Sequence, residues 1–154
     1  MWQYDYSRDK EEQEVTSNEL KSIFYLDREL KMWQEELQRI IDEARPKAQP
    51  LTGMPHGNAV TNPTFDAAVE LGETTTIING IIAKINVEKK KIYKYIASVD
   101  DSYIRQIIEL RNVQLLPWAA IAARLNTSEY SVKKTYYRYI KKDNETKLSP
   151  KSQS

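Results

Sequence analysis

PWAAIAARLNTSEYSVKKTYYRYIKK, residues 117–142, is the stretch on which the reading of the fold turns. Pro117 suits the first turn of a helix, where its missing N–H is no loss. Ala119, Ala120, Ala122 and Ala123 let another helix come close, and Ile121 and Leu125 supply packing. Asn126 ends this helix, since asparagine tolerates the left-handed backbone that a tight turn needs. Ser128, or Thr127, then caps a second helix with Glu129 in its first turn. On that helix Val132, Tyr136 and Ile140 recur every four residues and face inward, with Tyr139 beside them. A short helix, a tight turn and a basic second helix predict a helix-turn-helix unit.

The outward positions of the second helix are Tyr130, Ser131, Lys133, Lys134, Tyr137, Arg138 and Lys141. A recognition helix lies in the major groove with its N-terminal half at the base edges. Tyr130, Ser131 and Lys134 are placed for that, because lysine and serine can bond base acceptors. Lys133, Arg138, Lys141 and Lys142 are better placed to neutralise phosphates. The plain alternative is that these cations only keep the helix soluble. The turn that precedes them favours DNA contact.

The charge distribution agrees. Residues 102–154 carry ten basic and four acidic side chains, whereas residues 1–49 carry eight and twelve, so a net charge of +1 hides an acidic front and a basic back. A polyanionic partner for the basic end is expected.

Upstream, three short helices are expected from Asp100 onward. Ser102 can cap the first, and Ile104, Ile107, Ile108 and Leu110 form its core face; Leu115 and Leu116 end it. Further back, Thr16 or Ser17 caps a helix, and Thr16 with Glu19 has capping-box spacing. Ile23, Leu26, Leu30, Trp33, Leu37, Ile40 and Ala44 alternate spacings of three and four, the seam of a coiled coil, and Pro46 ends it. Residues 46–65 hold four of the six prolines and read as a loop. A second long helix follows from Phe65 or Asp66 to Val99, with Leu71, Ile78, Ile81, Ile85, Ile92 and Ile96 or Val99 on one side. Glu88 interrupts that stripe, and Thr74–Gly80 leaves a short strand or a kink open, although the maintained period favours helix. Glu88–Lys91 and Lys94 read as a solvated face, with a secondary phosphate contact as the alternative.

Several functions are disfavoured at this level. The chain has no cysteine, which excludes disulfides, zinc fingers and a thiol nucleophile. His56 is the only histidine and lies in the loop, too few for a histidine-based triad or metal cluster. Asp100 and Asp101 read as a helix start rather than an acid–base pair. No enzymatic activity, cofactor or metal is expected. No apolar run is long enough to span a membrane, and the acidic first residues lack the apolar core of a signal peptide, so an intracellular setting is expected.

Residues 115–142 resemble the region-four helix-turn-helix of sigma factors, through Trp118, Ile121-Ala122, Ser128 and Val132-Lys133. Ala119 and Ala120 depart from the acidic residues common there, and Asn126-Thr127 from a glycine-containing turn. The order of the whole chain, over about residues 18–142, resembles the phage-encoded RinA/ArpU-like late transcriptional regulators of Gram-positive hosts. Gly53-Met54-Pro55-His56-Gly57 between the two long helices sharpens that resemblance. It implies a late-gene activator working at promoters in the cytoplasm of a bacterial host.

The expectation is thus an all-α protein: a flexible N-terminus at 1–15, a long antiparallel coiled-coil-like hairpin at 16–99, a sigma-region-four-like DNA-binding unit at 100–142 and a flexible tail at 143–154. The hairpin closes within one chain or between chains, and either would leave this pattern. The expected partner is double-stranded DNA, with RNA polymerase and a second copy as further candidates and no membrane. Two rivals stand beside this reading. One is a phage small terminase subunit that recognises packaging sites; the other is a protein-interaction module that contacts polymerase or a regulator and never DNA.

Overall fold

The computed structural model describes residues 15–45 and 63–148. All regular structure among them is helical. Residues 1–14, the Gly53–Gly57 motif with most of the 46–65 loop, and the tail beyond 148 lie outside the described residues.

Helix α1, Ser17–Leu20, begins with the expected capping box: Thr16 Oγ1 accepts from the Glu19 N–H at 3.4 Å, and the Glu19 carboxylate accepts from the Thr16 N–H at 2.7 Å. The chain breaks its helical pattern at Lys21 and resumes as α2, Ser22–Ala44. Helix α3 runs without interruption over Pro63–Ser98, so the Thr74–Gly80 stretch is neither strand nor break. It begins inside the expected 46–65 loop, at Pro63. Thr76 satisfies its hydroxyl by donating to the Gly72 carbonyl at 2.9 Å, one turn back, which lets a β-branched residue sit in the helix.

The described residues form two compact units, one from 15–26 with 85–148 and one from 27–45 with 63–84. They do not divide at 99/100: the C-terminal unit also takes the first turns of α2 and the last four turns of α3. In the smaller unit Ile40, Thr74, Ile78 and Ile81 are buried, while Leu30, Trp33 and Leu37 are only half-buried and Ala44 is exposed. The heptad seam is thus shallower than its sequence suggests. Two helix segments have no third element among the described residues to cover both flanks of a seam.

The larger unit holds the deeper core. Leu20, Ile23, Ile92, Val99, Ile107, Ile108, Ile121 and Val132 are almost fully buried. Glu88, the charge on the α3 stripe, accepts from the Ser22 hydroxyl at 2.9 Å and pairs with Lys91 at 3.1 Å. Its carboxylate is therefore partnered where the stripe needed an apolar group.

Asp101, not Ser102, caps α4, Ser102–Ile108. Its carboxylate accepts from the N–H groups of Tyr103 and Ile104 at 2.8 and 3.2 Å. An aspartate there serves better than serine, since its charge meets the positive end of the helix. Arg105 reaches back to the carbonyls of Val99 and Asp100 at 2.7 and 2.9 Å and locks the joint with α3. Ile107, Ile108 and Leu110 are buried as expected, and Ile104 is half-buried.

Then comes a π turn, Glu109–Val113, closed by the Gln114 N–H on the Glu109 carbonyl at 3.0 Å. It carries Asn112 into the interior. There the Asn112 amide donates to the Leu20 carbonyl at 2.8 Å, and its oxygen accepts from the Tyr136 hydroxyl at 3.1 Å. Leu115 follows in a left-handed conformation, φ 58°. Pro117 is the cap residue itself, and α5 spans Trp118–Arg124. Helix α6 spans Glu129–Leu148, so it runs on past Lys142, and the expected boundary of the tail at 143 gives way. The added turns are anchored. The Tyr95 hydroxyl donates to Asp143 at 2.9 Å, Lys147 pairs with Asp143 at 2.9 Å, and the Lys147 ammonium donates to the Val15 carbonyl at 3.2 Å.

Two predictions follow from this core. Replacing Asn112 by leucine leaves the Leu20 carbonyl and the Tyr136 hydroxyl without partners, at about 1–3 kcal/mol each. Denaturant titration should show a loss of about 2–4 kcal/mol for Asn112→Leu, about 1 kcal/mol for Tyr136→Phe, and a double variant well short of their sum. An additive double variant would show that the two groups do not work together.

The second concerns base. Burial, and then the hydrogen bond to Asp143, push the Tyr95 hydroxyl well above its ordinary value, and burial raises Tyr136 and Tyr139 too. Neutral hydroxyls are favoured in the folded state, so this stability is complete below the ordinary tyrosine value of about 10 and declines as pH rises past it. Tyr95→Phe should be less stable at neutral pH but lose less between pH 10 and 12, as read from urea midpoints across that range.

Candidate nucleic-acid interface

The turn between α5 and α6 sets the direction of the candidate reading helix. Leu125 closes α5, and Asn126 takes a left-handed conformation, φ 52°. The Thr127 N–H then bonds the Ala122 carbonyl at 3.0 Å and the Asn126 N–H bonds that of Ala123 at 3.4 Å. This pair of bonds is a Schellman ending, with asparagine where glycine is usual. Ser128 Oγ accepts from the Ser131 N–H at 3.1 Å, which makes Ser128 the cap of α6. Of the two candidate caps, Ser128 makes the bond.

Val132, Tyr136 and Ile140 are buried, and Tyr139 is half-buried on their flank. At 3.6 residues per turn, the opposite side of α6 carries Tyr130, Lys134, Tyr137, Arg138 and Lys141, all exposed. Those five site residues therefore share one face. The other two stand at its margins. Ser131 is half-buried. Lys133 is half-buried and tied to Glu129 at 3.0 Å, one turn back. Lys134 lies over the Tyr130 ring at 5.6 Å, which holds its ammonium near the start of the helix. Arg138, Lys141 and Lys142 have no ion pair among the described residues.

Beside this face lies a groove of about 210 Å³, which the sequence did not announce. Tyr25, Leu115, Trp118 and Tyr137 form walls, and Lys21 and Arg111 supply charge. The Arg111 guanidinium lies 4.5 Å from the Trp118 ring and donates to the Leu116 carbonyl at 3.0 Å. Trp118, Tyr136 and Tyr137 meet pairwise with ring centroids 5.2–5.9 Å apart. Tyr137 belongs to both the groove and the exposed face. One signal was available in the sequence: Asn112 lies one turn after Ile108, a polar group on an apolar face.

Set against protein-family models, curated proteins and solved structures, the chain matches none of them. No helix of the described residues is long and apolar enough to cross a membrane. No group of side chains suited to hold a metal ion occurs among them.

The left-handed turn gives a test with two signs. A left-handed residue with a β-branched side chain costs about 1–2 kcal/mol more than glycine does. Asn126→Val should lower the unfolding free energy by that order, whereas Asn126→Gly should leave it level or raise it slightly. Equal losses for both variants would mean that the Asn126 side chain, not its backbone, holds the turn.

Proposed function

We propose that the chain is a sequence-specific double-stranded DNA-binding regulator of transcription. In this reading α5, its turn and α6 are a helix-turn-helix of the sigma-region-four kind, and the exposed face of α6 enters the major groove. The observation that carries it is that face: Tyr130, Lys134, Tyr137, Arg138 and Lys141 point one way, behind a tight turn and a short helix. Helices α2 and α3 would form a long antiparallel hairpin that sets oligomeric state or meets RNA polymerase. The resemblance to RinA/ArpU-like regulators supports a late-gene activator of phage origin acting at promoters.

The roles divide along the helix. Tyr130 and Lys134 stand in its first turns, where base edges are read, while Arg138 and Lys141 stand further along, where phosphates pass. Ser131 and Lys133, at the margins, would contribute less than the sequence suggested. For Lys133 in particular, any phosphate contact must compete with Glu129.

A second reading rests on the groove. Its exposed aromatic walls suit a protein-interaction module that never touches DNA.

Selection of bound duplexes from a random pool, at two salt concentrations, separates the two. Enrichment of one motif, with affinity falling steeply with salt, is expected of the regulator. Arg138→Ala should weaken binding across sequences and lower the salt slope by about 1, while Lys134→Ala should cost about 1–3 kcal/mol and relax preference at one position. If Lys134→Glu with Arg138→Glu leaves nucleic-acid binding untouched, the DNA reading falls and the interaction module stands.

A further inference from the structure

The groove beside α6 has the marks of a built site. One wall contains the π turn and the next a non-glycine residue held left-handed, Leu115. Both cost stability, and both kinds of feature concentrate where a protein binds something. Tyr25 and Tyr137 stay 65% and 54% exposed at its edge, although aromatic side chains of that size gain most by burial. The charged residues lining it are Lys21 and Arg111, with no carboxylate among them. An occupant should therefore bring aromatic side chains and negative charge together.

One segment of this chain has that chemistry. Residues 1–14, MWQYDYSRDKEEQE, hold three aromatic residues within the first six, Trp2, Tyr4 and Tyr6, and carry five carboxylates against two cations. They join the described chain at Val15, which is buried in the same unit. From there α1 leads to Leu20 and Lys21, which line the groove. That path is about six helical residues, roughly 9 Å, whereas fourteen residues can extend to about 46 Å. Tethering also gives the segment an effective concentration on the order of millimolar, so weak contacts suffice to fill the site.

We infer that the groove formed by Lys21, Tyr25, Arg111, Leu115, Trp118 and Tyr137 is a docking site for the acidic aromatic segment 1–14 of the same chain. Trp2, Tyr4 and Tyr6 provide the rings that enter between Tyr25 and Trp118. Asp5 and Asp9 lie in reach of Lys21 and Arg111. The inference does not depend on DNA binding, and its test contains no DNA.

The absence of cysteine makes the test direct. A nitroxide on Ser7→Cys in the full chain should strip most of the intensity from the amide signals of Leu115 and Tyr137 and from the Trp118 indole signal. Reducing the nitroxide with ascorbate should return those signals to full intensity. Introducing Lys21→Glu in the same labelled chain should return much of the lost groove intensity, because Lys21 is exposed and its reversal opposes the segment's charge. Replacing Trp2, Tyr4 and Tyr6 together by alanine should do the same without touching the folded unit. Full groove intensity in the labelled parent chain would overturn the inference. So would loss seen only when labelled and isotope-enriched chains are mixed, which would assign the groove to a second copy.

Discussion

A buried amide ties together three elements of the larger unit. Asn112 donates to the last carbonyl of α1 and accepts from a hydroxyl in the middle of α6. The buried residues Leu20, Ile108 and Ile121 of the same unit are apolar, and apolar contact has little directional preference. A helix held only by such contacts can turn or slide with small change in energy. A hydrogen bond from Tyr136 in a dry interior cannot shift without leaving a polar group unpaired. Tyr136 thus helps to set the rotation of α6 about its own axis, together with the Tyr95–Asp143 and Lys147–Val15 bonds at its far end, and with it the side that α6 shows to solvent.

The π turn is the means by which Asn112 reaches that place. Its wider winding adds a residue to the turn, so the chain beyond it no longer follows the register of α4. The same region then needs Leu115 left-handed to redirect the backbone into α5. Asn126 does this again at the other end of α5. A left-handed asparagine is tolerated, and a left-handed leucine costs about 1–2 kcal/mol. The stacking of Arg111 on Trp118 and its bond to the Leu116 carbonyl close over that strained corner and offset part of the cost.

Much of this was written in periodicity. The all-helical class, both long helices, the Thr16–Glu19 box, the Asn126 turn, the Ser128 cap and the inward set Val132, Tyr136 and Ile140 depend on local spacing and local backbone preference, which a sequence displays directly. What was illegible is tertiary. Asn112 has partners 92 and 24 residues away, and no local pattern names them. Asp100 and Asp101 do read as a helix start, and Asp101 is the cap, but nothing in Glu88 shows a serine hydroxyl waiting from α2. Leu115 has no reason of its own to be left-handed. The depth of the heptad seam also failed to show, because a spacing of three and four says which side is apolar and not how much lies over it.

The charge on α6 illustrates how local pairing turns a composition into a surface. Glu129 and Asp143 each stand four residues before a lysine and hold Lys133 and Lys147 in ion pairs. Such pairs contribute little to stability when exposed, about 0.3–0.5 kcal/mol on a helix. Their effect is to sort the cations. Lys133 is drawn to the margin and Lys147 is committed to the Val15 carbonyl, while Lys134, Arg138, Lys141 and Lys142 are left to act outward. A polyanion is attracted by the cations it can neutralise, not by net charge, because each phosphate contacted releases bound counterions. Four of the ten basic residues in the last third of the chain are thereby gathered toward one side of one helix. That is the side whose orientation Asn112 helps to hold.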